Sequence, residues 1–129
     1  MKRSRTVMAF AVALVADVLV IVLLTPLGFE TRPPSDLKTF GYIAIGTIFV
    51  GLALYLVSLG LLSRRARWAS GLAIVASILF FLPVVGDQAG LFFSLPMPPV
   101  INVLEYILIA GLLATILLAS RVYRESRPL

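Results

Sequence analysis

Four long apolar segments divide the chain, and short polar or proline-containing stretches separate them. They lie at about residues 7–24, 40–62, 68–85 and 100–119. Each is close to the roughly 20 residues that a helix needs to cross about 30 Å of hydrocarbon. Because the runs are continuous rather than alternating, they indicate helices and not the strands of a membrane barrel. The pattern predicts an all-α integral membrane protein: a single domain, residues 1–129, with four transmembrane helices in an antiparallel up-down bundle.

The separating stretches predict three loops, two long and one short. The longer loops are predicted at residues 25–39 and 86–99, and a short polar loop at residues 63–67. Proline removes a backbone donor and stops helices, so it belongs at helix ends and in loops. We therefore expect Pro26, Gly28, Pro33 and Pro34 to end the first helix and shape the first loop.

The first segment also has features of a secretory signal peptide, namely a basic start, an apolar run and a small residue, Ala16, that could precede a cleavage site. The apolar run continues past this point from Val18 to Leu24. We therefore expect this segment to be a retained transmembrane helix.

Basic residues are distributed unevenly around the four segments. With four crossings, nine of the eleven lysines and arginines fall on one side. These are Lys2, Arg3, Arg5, Arg64, Arg65, Arg67, Arg121, Arg124 and Arg127. Only Arg32 and Lys38 fall on the other side. Since positive charge stays in the cytoplasm, we expect both termini to be cytoplasmic, with Arg64, Arg65 and Arg67 as anchors, in the cell (inner) membrane.

Composition excludes several classes of function. The chain is 60% hydrophobic and 13% charged, with a mean hydropathy of +1.07, whereas soluble domains are about 25% charged. The net charge of +5 is spread over flanking groups, which argues against a nucleic-acid surface. The chain has no cysteine and no histidine, so thiolate metal sites, disulfides and the usual haem ligand are excluded. We predict no catalytic, cofactor or metal site, beyond a lipid or quinone at an interface.

Asp17 is the most unusual residue of the apolar segments. It lies about ten residues into the first one, roughly 15 Å along a helix axis and near the middle of a bilayer. A mid-helix Asp costs about 2.5–3.5 kcal/mol on the insertion scale, which the surrounding apolar residues outweigh. Ala9 and Ala13 precede it at four-residue spacing, and small residues let another helix approach closely. These three residues are expected to share a helix-packing face.

The intramembrane polar residues need hydrogen-bond partners. No lysine or arginine lies within the four segments, so we expect Asp17 to be protonated, or to be hydrogen bonded to a hydroxyl such as that of Ser58, Ser77 or Thr47. Glu105 is a second, shallower acid, and Asn102 lies one turn away from it. Two interpretations are open: a proton- or cation-coupled site, or hydrogen bonds between helices of this chain or with a partner subunit.

Small residues mark further packing faces on the later segments. Their spacing of about four residues places them on one face of each helix. They are Ala69, Ala73 and Ser77 in the third segment and Gly111 and Thr115 in the fourth.

Together these features favour a non-catalytic accessory subunit of a larger membrane complex, such as a respiratory, photosynthetic or transport assembly. Its partners would be other membrane subunits and lipids, with no nucleic acid. The alternative is a small proton- or cation-coupled transporter that uses Asp17 as its coupling acid.

Overall fold

The computed structural model describes residues 2–32 and 34–126. Within these ranges the regular secondary structure is all helical, without a strand, and four helices are long and apolar enough to cross a membrane. They are α1 (Lys2–Thr31), α2 (Thr39–Leu61), α3 (Ala66–Gln88) and α4 (Pro99–Glu125), with a short 3-10 helix at Pro34–Asp36. Arg127 and the side chains of Lys2 and Arg3, counted above among the basic residues, lie outside the described part, as does Pro33 of the first loop.

Three helices are longer than their apolar segments indicate. The prediction that Pro26 and Gly28 end the first helix is wrong, because α1 continues through both residues to Thr31. Likewise α3 contains Pro83 and continues to Gln88, and α4 also passes its expected end. In an apolar environment a helix that breaks early leaves backbone groups without partners. A proline that removes one bond therefore costs less than ending the helix at that point.

The helices do not pack as a closed ring. Helix α1 packs mainly on α4, α4 on α3, and α3 on α2, whereas α1 and α2 are in much sparser contact. The two longer connections meet at one end, where the Lys38 N–H donates to the Phe92 carbonyl at 3.0 Å and the Ser94 N–H donates to the Asp36 carbonyl at 2.9 Å. We call this the loop end, residues 32, 34–38 and 89–98. The arrangement leaves a cleft between α1 and α2.

The buried face of α1 differs from the expected one. It consists of Phe10, Leu14, Asp17 and Ile21. Ala9 is exposed and Ala13 only half-buried, so within this chain Ala9 does not share the buried face of Asp17. The reason is helical geometry: at about 3.6 residues per turn, two steps of four residues drift well away from the starting face, whereas seven residues return almost to it.

Helix α3 lies at the centre of the packing. Ala69, Ala73 and Ser77 are all buried on it, and these short side chains let the neighbouring helices approach. Phe80, one turn further along, packs on the bare backbone of α2, because a Cβ at Gly51 would lie 2.9 Å from the Phe80 ring.

The surface of the bundle is apolar. Large side chains such as Val12, Leu19, Phe49 and Leu117 are more than half exposed. Soluble proteins rarely carry continuous apolar patches of this kind. Together with the four spanning helices, this surface makes the chain a multi-pass membrane protein.

Candidate functional site

A cluster of four polar side chains joins the four helices at their centre. We call it the central cluster: Asp17 on α1, Tyr55 on α2, Ser77 on α3 and Thr115 on α4. The Thr115 hydroxyl donates to Asp17 Oδ2 at 2.5 Å, and the Tyr55 hydroxyl donates to the same oxygen at 3.3 Å. Tyr55 Oη and Ser77 Oγ are 2.5 Å apart. One carboxylate oxygen thus collects donors from two other helices.

The carboxyl group of Asp17 fits against bare backbone on α4. Its side chain is only 2% exposed, and a Cβ at Gly111 would overlap with Asp17 Oδ1. Gly111, which the sequence placed on a packing face with Thr115, is therefore the position that admits the acid. The pair lies one turn apart on α4 and forms the pocket for this carboxylate.

The expected partners of Asp17 are mostly different from the observed ones. Ser58 donates instead to the Ala69 carbonyl at 2.6 Å, and Thr47 donates to the carbonyl of Ala44 in its own helix. Ser77 reaches Asp17 only through Tyr55. Sequence reasoning missed Tyr55, although a tyrosine in the middle of an apolar run needs a partner for its hydroxyl.

Removing the closest donor to Asp17 is expected to destabilise the bundle moderately. Thr115→Val keeps the shape of the side chain but leaves a buried acceptor short of a bond, at a cost of about 1–2 kcal/mol. Thr47→Val is the matched control, because Thr47 bonds only within its own helix turn. Unfolding of the detergent-solubilised protein should show a lower midpoint for Thr115→Val than for Thr47→Val. Equal midpoints would contradict the role of this hydroxyl.

A second polar cluster lies at the loop end. We call it the loop-end cluster: Arg32, Asp87, Gln88 and Glu105. Arg32 forms a two-pronged ion pair with Asp87, with both N–O distances at 2.9 Å. The two side chains are 3% and 6% exposed. Gln88 donates to Glu105 Oε1 at 2.8 Å, and the carboxyl groups of Glu105 and Asp87 also interact. The ring of Phe93 lies under the guanidinium, 4.3 Å from its centre.

The sequence placed Arg32 and Asp87 in two separate loops and did not pair them. The structure brings them together because α1 and α3 are both longer than expected. The signal that could have found this pair is the presence of opposite charges beside two loops that leave the membrane on the same side. Glu105 is buried, and the residues that reach it, Arg32, Asp87 and Gln88, all come from the two predicted longer loops.

The remaining polar candidates belong to neither cluster. Asn102 is half-buried and lines a hollow beside the loop-end cluster, which Arg32, Asp87 and Gln88 also line. Arg64 and Arg65 are exposed. Arg67 donates to the Tyr123 hydroxyl at 2.7 Å and stacks on its ring. The Arg67–Tyr123 contact links the cytoplasmic-side ends of α3 and α4 predicted from the sequence.

A cavity of about 440 Å³ lies in the cleft between α1 and α2. Its walls are mostly apolar; the polar residues that line it are Thr25 on α1 and, at the loop end, Arg32, Asp87 and Glu105. No residue of the central cluster lines this cavity. The two polar clusters are therefore distinct: one is sealed in the helix packing, and the other borders an open space.

Neither cluster has the composition of a metal site, since no group of three or more possible ligands lies close together in residues 2–32 and 34–126. No family model, curated protein or solved structure matches the chain.

Proposed function

We propose that this chain is a non-catalytic structural subunit of a larger membrane protein assembly, such as a respiratory, photosynthetic or transport complex. The observation that carries the proposal is the central cluster. Its acid, the strongest candidate for chemistry in the sequence, bonds to hydroxyls of the chain's own helices. Such bonds hold four helices in one arrangement, which a scaffold needs in order to present a constant surface to its partners.

Transport coupled to Asp17 is the competing proposal, and burial weighs against it. A coupling acid has to exchange its proton or ion with water, and intramembrane acids of that kind face a water-filled cavity or a relay of further acids. Asp17 is closed off by packing and does not line the cavity. Its hydrogen-bonded neighbours on the other helices are hydroxyl groups, not further carboxylates.

The structural role predicts a graded response at Asp17. Asp17→Asn keeps an oxygen that can accept from Thr115 and Tyr55, so the protein should accumulate in membranes at close to the normal level. Asp17→Ala leaves both hydroxyls without this acceptor and is expected to cost about 1–3 kcal/mol more than Asp17→Asn. Protein abundance and unfolding midpoint would be measured for both variants. If Asp17→Asn abolished proton- or cation-coupled transport at normal protein abundance, the transporter would be favoured.

The apolar outer face supplies the surface for partners. Photoreactive amino acids at Val12 and Leu117, both strongly exposed, would be illuminated in native membranes. A subunit should give one crosslinked product of defined mass from at least one of these positions. A photoreactive residue at buried Leu112 is the control, and we expect no crosslink to another protein from it. Crosslinks to lipid alone from both exposed positions would contradict the proposal.

We further propose that the bundle is up-down and antiparallel, with both termini in the cytoplasm of a cell (inner) membrane. The support is the distribution of basic residues. Because the chain has no cysteine, single cysteines can report on topology directly. Ser35→Cys should react with an impermeant maleimide added outside intact cells, and Ser63→Cys only after lysis. The opposite result would reverse the orientation.

A further inference from the structure

The end of the bundle away from the loop end carries a concentrated positive charge. It comprises the start of α1, the α2–α3 connection with the first residues of α3, and the end of α4. Glu125 is the only acidic residue in these segments. Six arginines with described side chains lie there, namely Arg5, Arg64, Arg65, Arg67, Arg121 and Arg124. We call these segments the basic end.

The protein itself does not neutralise the basic end. Within residues 2–32 and 34–126, the ion pair that forms is the one between Arg32 and Asp87 at the loop end. None of the six arginines is in an ion pair with a described carboxylate. Like charges that lie close together repel one another. Anions from outside the chain would therefore stabilise this end.

Aromatic residues place the basic end at the level of the lipid headgroups. Trp68 directly follows Arg67 and is 64% exposed. Tyr123 lies between Arg121 and Arg124 in the sequence and is also exposed. Tryptophan and tyrosine rings prefer the membrane–water interface, and the phosphate groups of phospholipids lie at the same depth. The arginines beside these rings are thus within reach of the phosphates.

Arg67 is held in position by the protein. Its guanidinium lies 4.2 Å from the centre of the Tyr123 ring and donates through Nη2 to the Tyr123 hydroxyl at 2.7 Å. A guanidinium carries five N–H donors, so this bond leaves others for phosphate oxygens, which arginine binds in a two-pronged geometry. Because the side chain is already ordered, binding costs less conformational entropy.

We propose that the basic end binds anionic phospholipids, whose headgroup phosphates contact Arg67 and the arginines around it. The charges are complementary, since these lipids carry a net negative charge and the basic end a net positive one. A zwitterionic phospholipid fits less well, because its own ammonium group offsets its phosphate. The proposal concerns whichever leaflet surrounds this end, and it holds whether or not the chain is a subunit of an assembly.

Trp68 offers a local measurement, because it is the only tryptophan of the chain. The wild type would be reconstituted into vesicles of equal parts phosphatidylcholine and phosphatidylglycerol. Bromine, which quenches tryptophan fluorescence on contact, is placed on the acyl chains of one lipid or of the other. Both kinds of vesicle have the same surface charge, so the ratio of quenching shows which lipid gathers at Trp68. We expect phosphatidylglycerol to be enriched at least about threefold.

Variants test whether the arginines cause this enrichment. Arg64→Gln combined with Arg65→Gln removes two exposed charges close to Trp68 and should lower the enrichment at least about twofold. The same two positions changed to lysine keep the charge and should retain most of the enrichment. Lys38→Gln removes an exposed charge at the loop end and should leave the enrichment unchanged. The wild-type comparison needs no variant, so it stands even if a variant folds poorly.

Three results would overturn the proposal. The first is equal quenching by the two brominated lipids in the wild type, which would leave an acidic partner protein as the source of the compensating charge. The second is wild-type enrichment in the double glutamine variant. The third is loss of the enrichment when inorganic phosphate is added at constant ionic strength, which would assign the arginines to a soluble phosphate rather than to a lipid headgroup.

Discussion

Gly111→Val is expected to lower the free energy of unfolding by about 2–3 kcal/mol, as overpacking does in well-packed cores. The new side chain would occupy the space that Asp17 Oδ1 now fills. The carboxylate would have to move away from Thr115 and Tyr55, which leaves several buried polar groups short of partners. Reversible unfolding in mixed detergent micelles would measure the change.

The control for this prediction is another helix glycine. Gly60→Val makes the same chemical change on α2, where a Cβ meets nothing within 4 Å. It should leave stability unchanged or raise it slightly, because valine has the higher helix propensity. If the two variants unfold alike, the close approach of Asp17 to the backbone of α4 is not a feature of the protein.

Asp87→Ala is expected to have the largest effect of all, about 3–5 kcal/mol, because it leaves the buried charge of Arg32 without its ion-pair partner. Glu105 is near enough to take over part of this role, which places the expected value toward the lower end. Glu30→Ala, which removes an exposed acid near the same end of α1, should change stability by less than about 0.5 kcal/mol.

A double replacement separates the ion pair from the space it fills. Arg32→Met combined with Asp87→Leu removes both charges and keeps the volume apolar, so it should recover most of the stability that Asp87→Ala loses. Reversible unfolding in mixed detergent micelles would measure the stability of both variants. A double variant as unstable as Asp87→Ala would mean that the loss comes from shape rather than from charge.

The helices could be predicted from the sequence because hydrophobic length alone specifies a membrane span. Their ends could not. Pro26 and Pro83 are signals for helix termination in water, but both lie inside helices here, since the membrane penalises free backbone groups more than a missing bond. The extra turns of α1 and α3 bring Arg32 and Asp87 together. The loop-end cluster could therefore not be predicted from helices that were taken to end earlier.

The central cluster was predictable in part. A carboxyl group in the middle of an apolar helix has to turn inward, and Asp17 does. Its partners depend on which helices are neighbours, and sequence periodicity carries no such information. Thr115 lies 98 residues away along the chain. The lack of information on helix neighbours also explains why Ala9 was placed with Asp17. Four-residue spacing suggested a shared face, but the buried face of α1 follows Phe10 and Leu14.

The most direct test of the proposed function is purification of the tagged chain from its native membrane in mild detergent, followed by a native gel and mass spectrometry. A structural subunit should migrate within one large species and copurify with the same membrane proteins in fixed stoichiometry. Asp17→Asn should still enter that species. Recovery of the wild type only as a monomer or a small homo-oligomer would contradict the account.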